Sequence, residues 1–422
     1  MKKARPPNLH QASASGLVEH YFRREYAGLV ALLTRRVGLG RLEAVEDAVQ
    51  AALLAAMTAW LEGVPTEPRA WLYRVAHNHL VGVLRKDGGQ RRILDGVQVE
   101  EAEASPDAFF AGEIEDELLR MLFVCCDDEL PVESRLVLAL KTLCGFSVEE
   151  IAFRLFTSEA NVYKRLARAR ERLQETELDT ETPPLEQLRY RLPSVHTVIY
   201  LLFNEGYLSI DPQQAIRVEL CEEAIRLGEM LAAHPVGAVP TSFALLALMH
   251  LHAARLAARQ DATGGLLLLE EQTRRLDPEH FQRGASYLAM AADGDELTRY
   301  HVEAGIAAEH CFAPSFAQTR WGAIAELYAM LERLAPSPIS TLNRAVALAQ
   351  AEGPAAGLAS LHGVVPPAWL EGHYLWDAVL ADLHRRAGHL ELAARHREAA
   401  LLAAPSPTLR QLLERRLSTE RE

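Results

Sequence analysis

The stretch Asn161–Leu173, "NVYKRLARARERL", places five cations in thirteen positions: Lys164, Arg165, Arg168, Arg170 and Arg172. Lys and Arg neutralise phosphates and can read guanine, and an asparagine can pair with adenine through two hydrogen bonds. Read as a helix, the stretch turns Val162, Leu166 and Leu173 inward and Glu159, Asn161, Tyr163, Lys164 and Arg168 outward. Just upstream, "SVEEIAFRLF" opens on Ser147 with Glu150 three residues later, the pattern of a reciprocal helix cap. The turn "TS" then leads into the basic stretch. Two short helices joined by so brief a turn have the spacing of a helix-turn-helix, whose second helix enters the major groove. The plainer alternative is a solvated basic face in a helical bundle.

A second set of residues could read an unpaired base. "PRAWLYRVAHNHLVGVLRK" follows the loop "GVPTEP" and brings Trp71, Tyr73, Arg74, His77 and Asn78 onto one segment. Aromatic rings and polar side chains hold a base by stacking and by its Watson–Crick edge once it leaves the duplex. Trp71 and Tyr73 as ordinary core aromatics is the competing account. Further on, Asn204, Glu205 and Tyr207 of "FNEGY" could line a small-molecule pocket or could cap a helix and satisfy buried polar groups. The sixteen histidines are scattered, and His250 and His252, two apart, do not share a helix face. No HExxH, phosphate-binding P-loop or GxSxG motif occurs. No catalytic residue, metal site or cofactor is therefore expected, and the chain does not read as an enzyme.

The elements that must carry these residues are helical. Of 422 residues, 49% are hydrophobic, and Gly and Pro fall between long periodic segments. A helix is expected over 17–37, with Leu17, Tyr21, Leu29, Leu32 and Leu33 along one side. Another is expected over about 41–61, with a buried stripe of Val45, Val49, Leu53, Ala56, Met57 and Trp60. In the third, Leu72, Val75, Ala76, Leu80 and Val83 face inward, opposite Arg74, His77, Asn78, Val81 and Arg85. Helices resume at Ile114, and Pro131 and Gly145 bracket "VESRLVLALKTLC". Near the C-terminus a helix pair around Gly388 would place Ala381, Ala393 and Ala399 at close-packing positions. That unit resembles a tetratricopeptide repeat, and "ISTLNRAVALAQAEGPAAGL" is a weaker version of it.

The net charge of −13 conceals its distribution. Residues 1–92 carry +6, residues 93–132 carry −11, residues 133–175 carry +2, and the rest carries −10. A global acidity argument against nucleic acid therefore fails, because the electrostatic footprint is local. The basic N-terminus lacks the apolar core of a secretory signal, and no apolar run is long enough to span a membrane. Five cysteines without a CxxC pair fit a reduced, cytoplasmic protein.

Taken in order, "VEDAVQ" (Val45–Gln50), "PRAWLYRVAHNHLVGVLRK", an acidic connector and the helix-turn-helix form a series. It resembles the extracytoplasmic-function (ECF) sigma factors of bacterial RNA polymerase over about residues 16–175. The matching patterns are an acidic "EDxVQ" helix, an "AWLxxxARN" helix and "SxEEIAxxL…V…RLxRARxRL". The resemblance implies a region 2 that docks on the polymerase clamp helices and melts the −10 element. It implies a region 4 that reads the −35 element and touches the flap. Asp47 and Gln50 match the polymerase-contacting helix. Arg74, His77 and Asn78 match the −10 helix, and the loop Gly63–Glu67, with Val64, matches the base-capture loop. Glu159, Asn161, Tyr163, Lys164, Arg165 and Arg168 fall on the −35 helix. This chain departs from the pattern at Ala51 and Leu53, and "LVGVLRK" lacks the usual aspartate.

"VIYLLFNEGY", "LLLLEEQTRRLD", "AGIAAEH" and "SPISTLNRAVALAQAEGPAAGL" resemble the subgroup of these factors with a large tetratricopeptide-like C-terminal extension. That subgroup often has "GPYQLQA" where this chain has "LTRYHVEA". The resemblance implies control by the extension itself, no cognate anti-sigma factor, and a companion protein of the DGPF/YCII type. The expected protein is all-α. Residues 1–92 form region 2, 93–112 an acidic linker, 113–175 region 4, 176–190 a second linker, and 191–422 the helical extension. Its expected partners are core RNA polymerase and promoter DNA, with no membrane. The alternative is a stand-alone helix-turn-helix regulator with a ligand-sensing tail.

Overall fold

The computed structural model describes residues 25–61, 63–86, 117–175, 184–209, 214–262, 264–273 and 276–418. Among these the chain is helical throughout, and the one β-bridge is an isolated pair, Gln260 with Leu266. The chain divides into two compact units, residues 1–202 and 203–422. The acidic linker 93–112, the start of the first expected helix and the resumption at Ile114 lie outside the described residues.

In the first unit, α1 covers residues 25–37, α2 Leu42–Ala59 and α3 Pro68–Lys86. Their core is the apolar stripe each sequence pattern carries: Leu29, Val30 and Leu33 from α1, Val45, Val49 and Leu53 from α2, and Leu72, Ala76 and Leu80 from α3. A fully buried leucine of this kind contributes roughly 1.5–3 kcal/mol. Met57, expected in the α2 stripe, is instead 51% exposed. The helix turns about 100° per residue, so the inward line runs through Ala52, Leu53, Ala56 and Trp60 and leaves Met57 on its edge. Val75 and Val83 of α3 are only half-buried.

α4 covers residues 117–125, α5 Val132–Thr142, α6 Val148–Arg154 and α7 Glu159–Glu175. Gly145, at φ +67°, turns the chain out of α5 in the left-handed region that suits glycine. α6 begins with the reciprocal cap read from the sequence. The Ser147 hydroxyl accepts from the Glu150 N–H at 3.1 Å, and the Glu150 carboxylate accepts from the Ser147 N–H at 2.6 Å. Phe156, at φ +48°, makes the tight turn between α6 and α7.

α8 runs over Leu185–Tyr207 and so begins inside the span read as the second linker. Pro184 supplies its first carbonyl, bonded by the Leu188 N–H at 3.1 Å, and Leu188, Leu192 and Val195 bury one side of it. Pro193 lies within the helix, and the Thr197 hydroxyl donates to its carbonyl at 2.9 Å. Arg191 of α8 ties down the α4–α5 corner, pairing with Asp127 at 2.6 Å and Asp128 at 2.9 Å.

The second unit continues as successive helices. They are α9 (Val218–Ala233), α10 (Pro240–Ala253), α11 (Pro278–Ala291), α12 (Arg299–Phe312), α13 (Trp321–Leu334), α14 (Pro338–Ala351), α15 (Pro354–Ser360), α16 (Tyr374–Arg386), α17 (Leu390–Leu402) and α18 (Pro407–Arg416). Neighbours in sequence pack on one another, α16 against α17 most closely in the C-terminal part. Gly388, at φ +80°, makes the α16–α17 turn, and Ala381, Ala393 and Ala400 are the buried small residues of that hairpin. Ala399, expected at such a spot, is half-exposed, because the buried register is carried by its neighbour.

Candidate nucleic-acid and polymerase interface

The basic helix α7 sorts its cations by side. Val162, Leu166, Ala169 and Leu173 are buried against the rest of the helix-turn-helix. Glu159, Asn161, Tyr163, Lys164 and Arg168 are exposed, Tyr163 at 59%, and Arg165 is half-buried. Asn161 is held near the turn, its amide bonding the Thr157 hydroxyl at 3.3 Å and its N–H bonding the Ser158 hydroxyl at 3.3 Å. Lys164, Arg165 and Arg168 have no ion-pair partner among the described residues. Arg170 and Arg172 do: Arg172 pairs with Glu129, and Arg170 pairs with Glu46 and, at 3.3 Å, with Glu43. Three of the five cations thus remain available to an outside anion, and all three lie in the N-terminal two-thirds of the helix.

Arg170 reaches into α2. Glu46 is buried and accepts from the Thr142 hydroxyl at 2.7 Å as well as from Arg170. Burial pushes the Glu46 carboxyl up, and Arg170 and Thr142 pull it back. Tyr26, buried beside Glu46 and bonded to Gln50, has its phenol pushed up by burial and by that carboxyl. Sequence reasoning overlooked both groups. The signal was the paired acid of "VEDAVQ": one carboxylate must face inward while the next faces out.

Asp47 and Gln50 are exposed on α2. Leu54 (66% exposed) and Met57 (51%) continue the same line at three- and four-residue steps, and Leu61 (53%) follows just past the helix end. This outward face is polar at one end and apolar at the other. The apolar end was missed because Met57, at helical spacing from Leu53, reads first as core.

On α3, Arg74 and Asn78 are exposed one turn apart, and His77 between them is half-buried. The His77 ring stacks on Tyr73, centroids 5.8 Å apart, and Arg36 lies over the Tyr73 ring at 5.4 Å. Burial and the Arg36 charge hold His77 below its ordinary value, so it presents a neutral imidazole. Trp71 meets buried Trp60 edge to face at 5.8 Å. Val64 is 43% exposed in the loop Gly63–Glu67, and Gly63 at φ +147° lets that loop leave α2. Trp71 is therefore partly a packing residue, while Arg74, Asn78 and Val64 are open to a partner.

The "FNEGY" cluster forms no comparable opening. Glu205 is fully buried, 3.6 Å from the Arg217 guanidinium and bonded to Ser209. The Arg259 guanidinium lies 3.7 Å over the Tyr207 ring and donates to the Tyr207 carbonyl. A Cβ at Gly206 would come within 2.7 Å of the Arg217 carbonyl, so the chain passes too close there for any side chain. These residues hold the start of the second unit together. Among the described residues no group of three or more His, Cys, Asp or Glu is placed to hold a metal ion. All five cysteines are free thiols. No described helix is long and apolar enough to cross a membrane.

A family model for sigma-70 region 2 matches residues 22–89, and one for sigma-70 region 4 matches residues 120–173. A family of unknown function, DUF6596, matches residues 191–292. A Rhizobium meliloti (strain 1021) protein described as uncharacterized is 36% identical over 356 residues, spanning 82% of this chain and 83% of its own. No solved structure matches. The chain carries sigma-70 region 2 and region 4 domains followed by a DUF6596 segment, and these domains make it a sigma factor, not an enzyme, that binds core RNA polymerase and promoter DNA.

Proposed function

We propose that this factor is of the ECF type, that it directs initiation from a two-element promoter, and that its C-terminal helical extension sets its activity. The observation that carries the reading is the division of labour on α7. Arg170 and Arg172 are engaged within the chain, whereas Lys164, Arg165 and Arg168 are unpaired beside exposed Asn161. That leaves a reading face at the N-terminal part of the second helix of a helix-turn-helix, where base edges are reached. In this reading Glu159, Asn161, Tyr163, Lys164, Arg165 and Arg168 engage the −35 duplex. Arg74, His77, Asn78 and Val64 take the unpaired −10 strand. Asp47 and Gln50, with Leu54 and Met57 below them, meet the clamp helices, and region 4 meets the flap.

The domain limits that go with it are 1–92, 113–175 and a tetratricopeptide-like 191–422. A small DGPF/YCII-type companion is part of the same proposal, and so is a cytoplasmic location. The extension carries most of the negative charge outside the linker, so it can compete with DNA for the basic faces or serve as a partner platform.

In-vitro transcription with bacterial core polymerase, comparing the full chain with one ending at Glu175 on a promoter library, tests this. Initiation from one two-element promoter class is expected, with different rates for the two chains. Equal rates would make the extension a passenger. No initiation, together with dimeric binding to duplex DNA in the absence of polymerase, would favour a stand-alone regulator.

A further inference from the structure

The second unit holds a cavity of about 320 Å³ between α16, α17 and the chain just past α18. Its inner wall is apolar and small: Ala381, Ala393 and Leu417, all buried. Leu390, 61% exposed, stands at the mouth. Two guanidiniums, Arg385 and Arg397, join the lining with Ala394 and Ser418.

Their electrostatic state is unbalanced. The Nε of Arg385 is buried and has no hydrogen-bond partner. The same side chain bonds Asp382 at 2.9 Å, but that carboxylate also serves Arg416 at 3.2 Å and Arg386 at 3.7 Å. One buried carboxylate is thus divided among three guanidiniums, and among the described residues only Arg416 has a further acid, Glu270 at 2.8 Å. Arg397 has no ion-pair partner among the described residues. A buried N–H without an acceptor costs free energy, and a guanidinium matches a carboxylate in shape as well as charge.

We propose that this cavity is a binding site for a small amphipathic monocarboxylate. The carboxylate is held by Arg385 and Arg397, and the apolar body lies on Ala381, Ala393 and Leu417. The volume stands at the lower end of small-molecule sites and holds about ten groups of water size at ~30 Å³ each. That suits a medium-chain fatty acid or a substituted benzoate and excludes a nucleotide or a peptide. The proposal goes beyond the sigma assignment and does not rest on it, because recognition and readout both lie within residues 203–422.

The test is calorimetric titration and thermal melting of the full chain with octanoate as the probe. Octanamide serves as the neutral isostere and inorganic phosphate as the anion without an apolar body. Octanoate is expected to bind saturably and raise the melting temperature, with octanamide and phosphate each at least about tenfold weaker. Arg397→Gln should weaken octanoate by about tenfold while leaving the ligand-free melt unchanged, since Arg397 is exposed and unpaired. Ala394→Trp, at an exposed position on the lining, should block entry without burying new volume in the core. No saturable octanoate binding at millimolar concentration would overturn the proposal. So would phosphate binding as tightly as octanoate, or octanoate binding that survives both substitutions.

Discussion

A single residue on α7 either faces outward or is consumed within the chain, and the two kinds should respond differently to substitution. Lys164 and Arg168 are exposed and unpaired, so replacing both with alanine should cost promoter use and leave folding alone. If each meets a phosphate, the salt slope of promoter binding by the holoenzyme should fall by about one per residue. Arg170→Ala would act on Glu46, whose buried carboxylate would lose its guanidinium and keep the Thr142 hydroxyl. Filter binding across a salt series measures the slope, with a melt of each variant beside it. An unchanged slope for the Lys164→Ala, Arg168→Ala double variant would remove both side chains from the DNA face. The sequence showed all five cations, but it could not show which two would find acids, because Glu43, Glu46 and Glu129 meet the helix only through tertiary packing.

At the scale of the element, α6 has only seven residues, so its cap matters more than it would in a long helix. Ser147→Ala removes the side-chain acceptor for the Glu150 N–H and should cost about 1 kcal/mol. Because α6 supports α7, the same change should lower promoter affinity without touching a DNA-facing group. Urea denaturation of the first unit gives the first number and holoenzyme binding the second; a stability loss without any binding loss would separate the two helices functionally. Local rules made most elements legible here. The capping box, the Pro131 start, the glycine stops at Gly145 and Gly388, and the 3.6-residue stripes of α2 and α3 all follow from neighbouring residues. The failures came where tertiary context decides. Pro184 reads as linker, yet a proline before a helix is a good start, and the stripe Leu188, Leu192, Val195 then commits the segment to α8. Met57 belongs to the apolar pattern of α2 but is 51% exposed among the described residues. The candidate polymerase face was half legible for the same reason: Asp47 and Gln50 stood out as polar, whereas Met57 looked like core and Leu54 was not singled out.

Across the whole molecule, three buried or half-buried histidines shape the response to acid. His196 in the first unit is held down to about 4 by burial. In the second unit His250 and His252 are each held down to about 3, by burial first. His280 and Arg283 then add to the effect on His250, and Arg255, Arg259 and His310 to that on His252. An unfolded histidine protonates near 6.5, so between that value and 3–4 the unfolded chain binds protons that the native chain refuses. The histidine contribution to stability therefore stays level above pH 6.5 and is lost as pH falls below it. Each histidine contributes at most about 1.4 kcal/mol per pH unit. Glu46, pushed upward, opposes this with a single group, and only from pH 4.5 upward through its raised value. The second unit, with two such histidines against one, should show the steeper loss. Calorimetric melts between pH 7.5 and 5 would resolve it if the two units melt apart. His252 packs between Phe203 (ring centroids 6.2 Å apart) and Tyr207 (4.6 Å), and its Nδ1 has no hydrogen-bond partner. His252→Phe should therefore fold normally at pH 7.5 and flatten the pH slope of the second transition by about one proton. A slope identical to that of the natural chain would show that His252 accepts a proton in the native state, contrary to its aromatic packing.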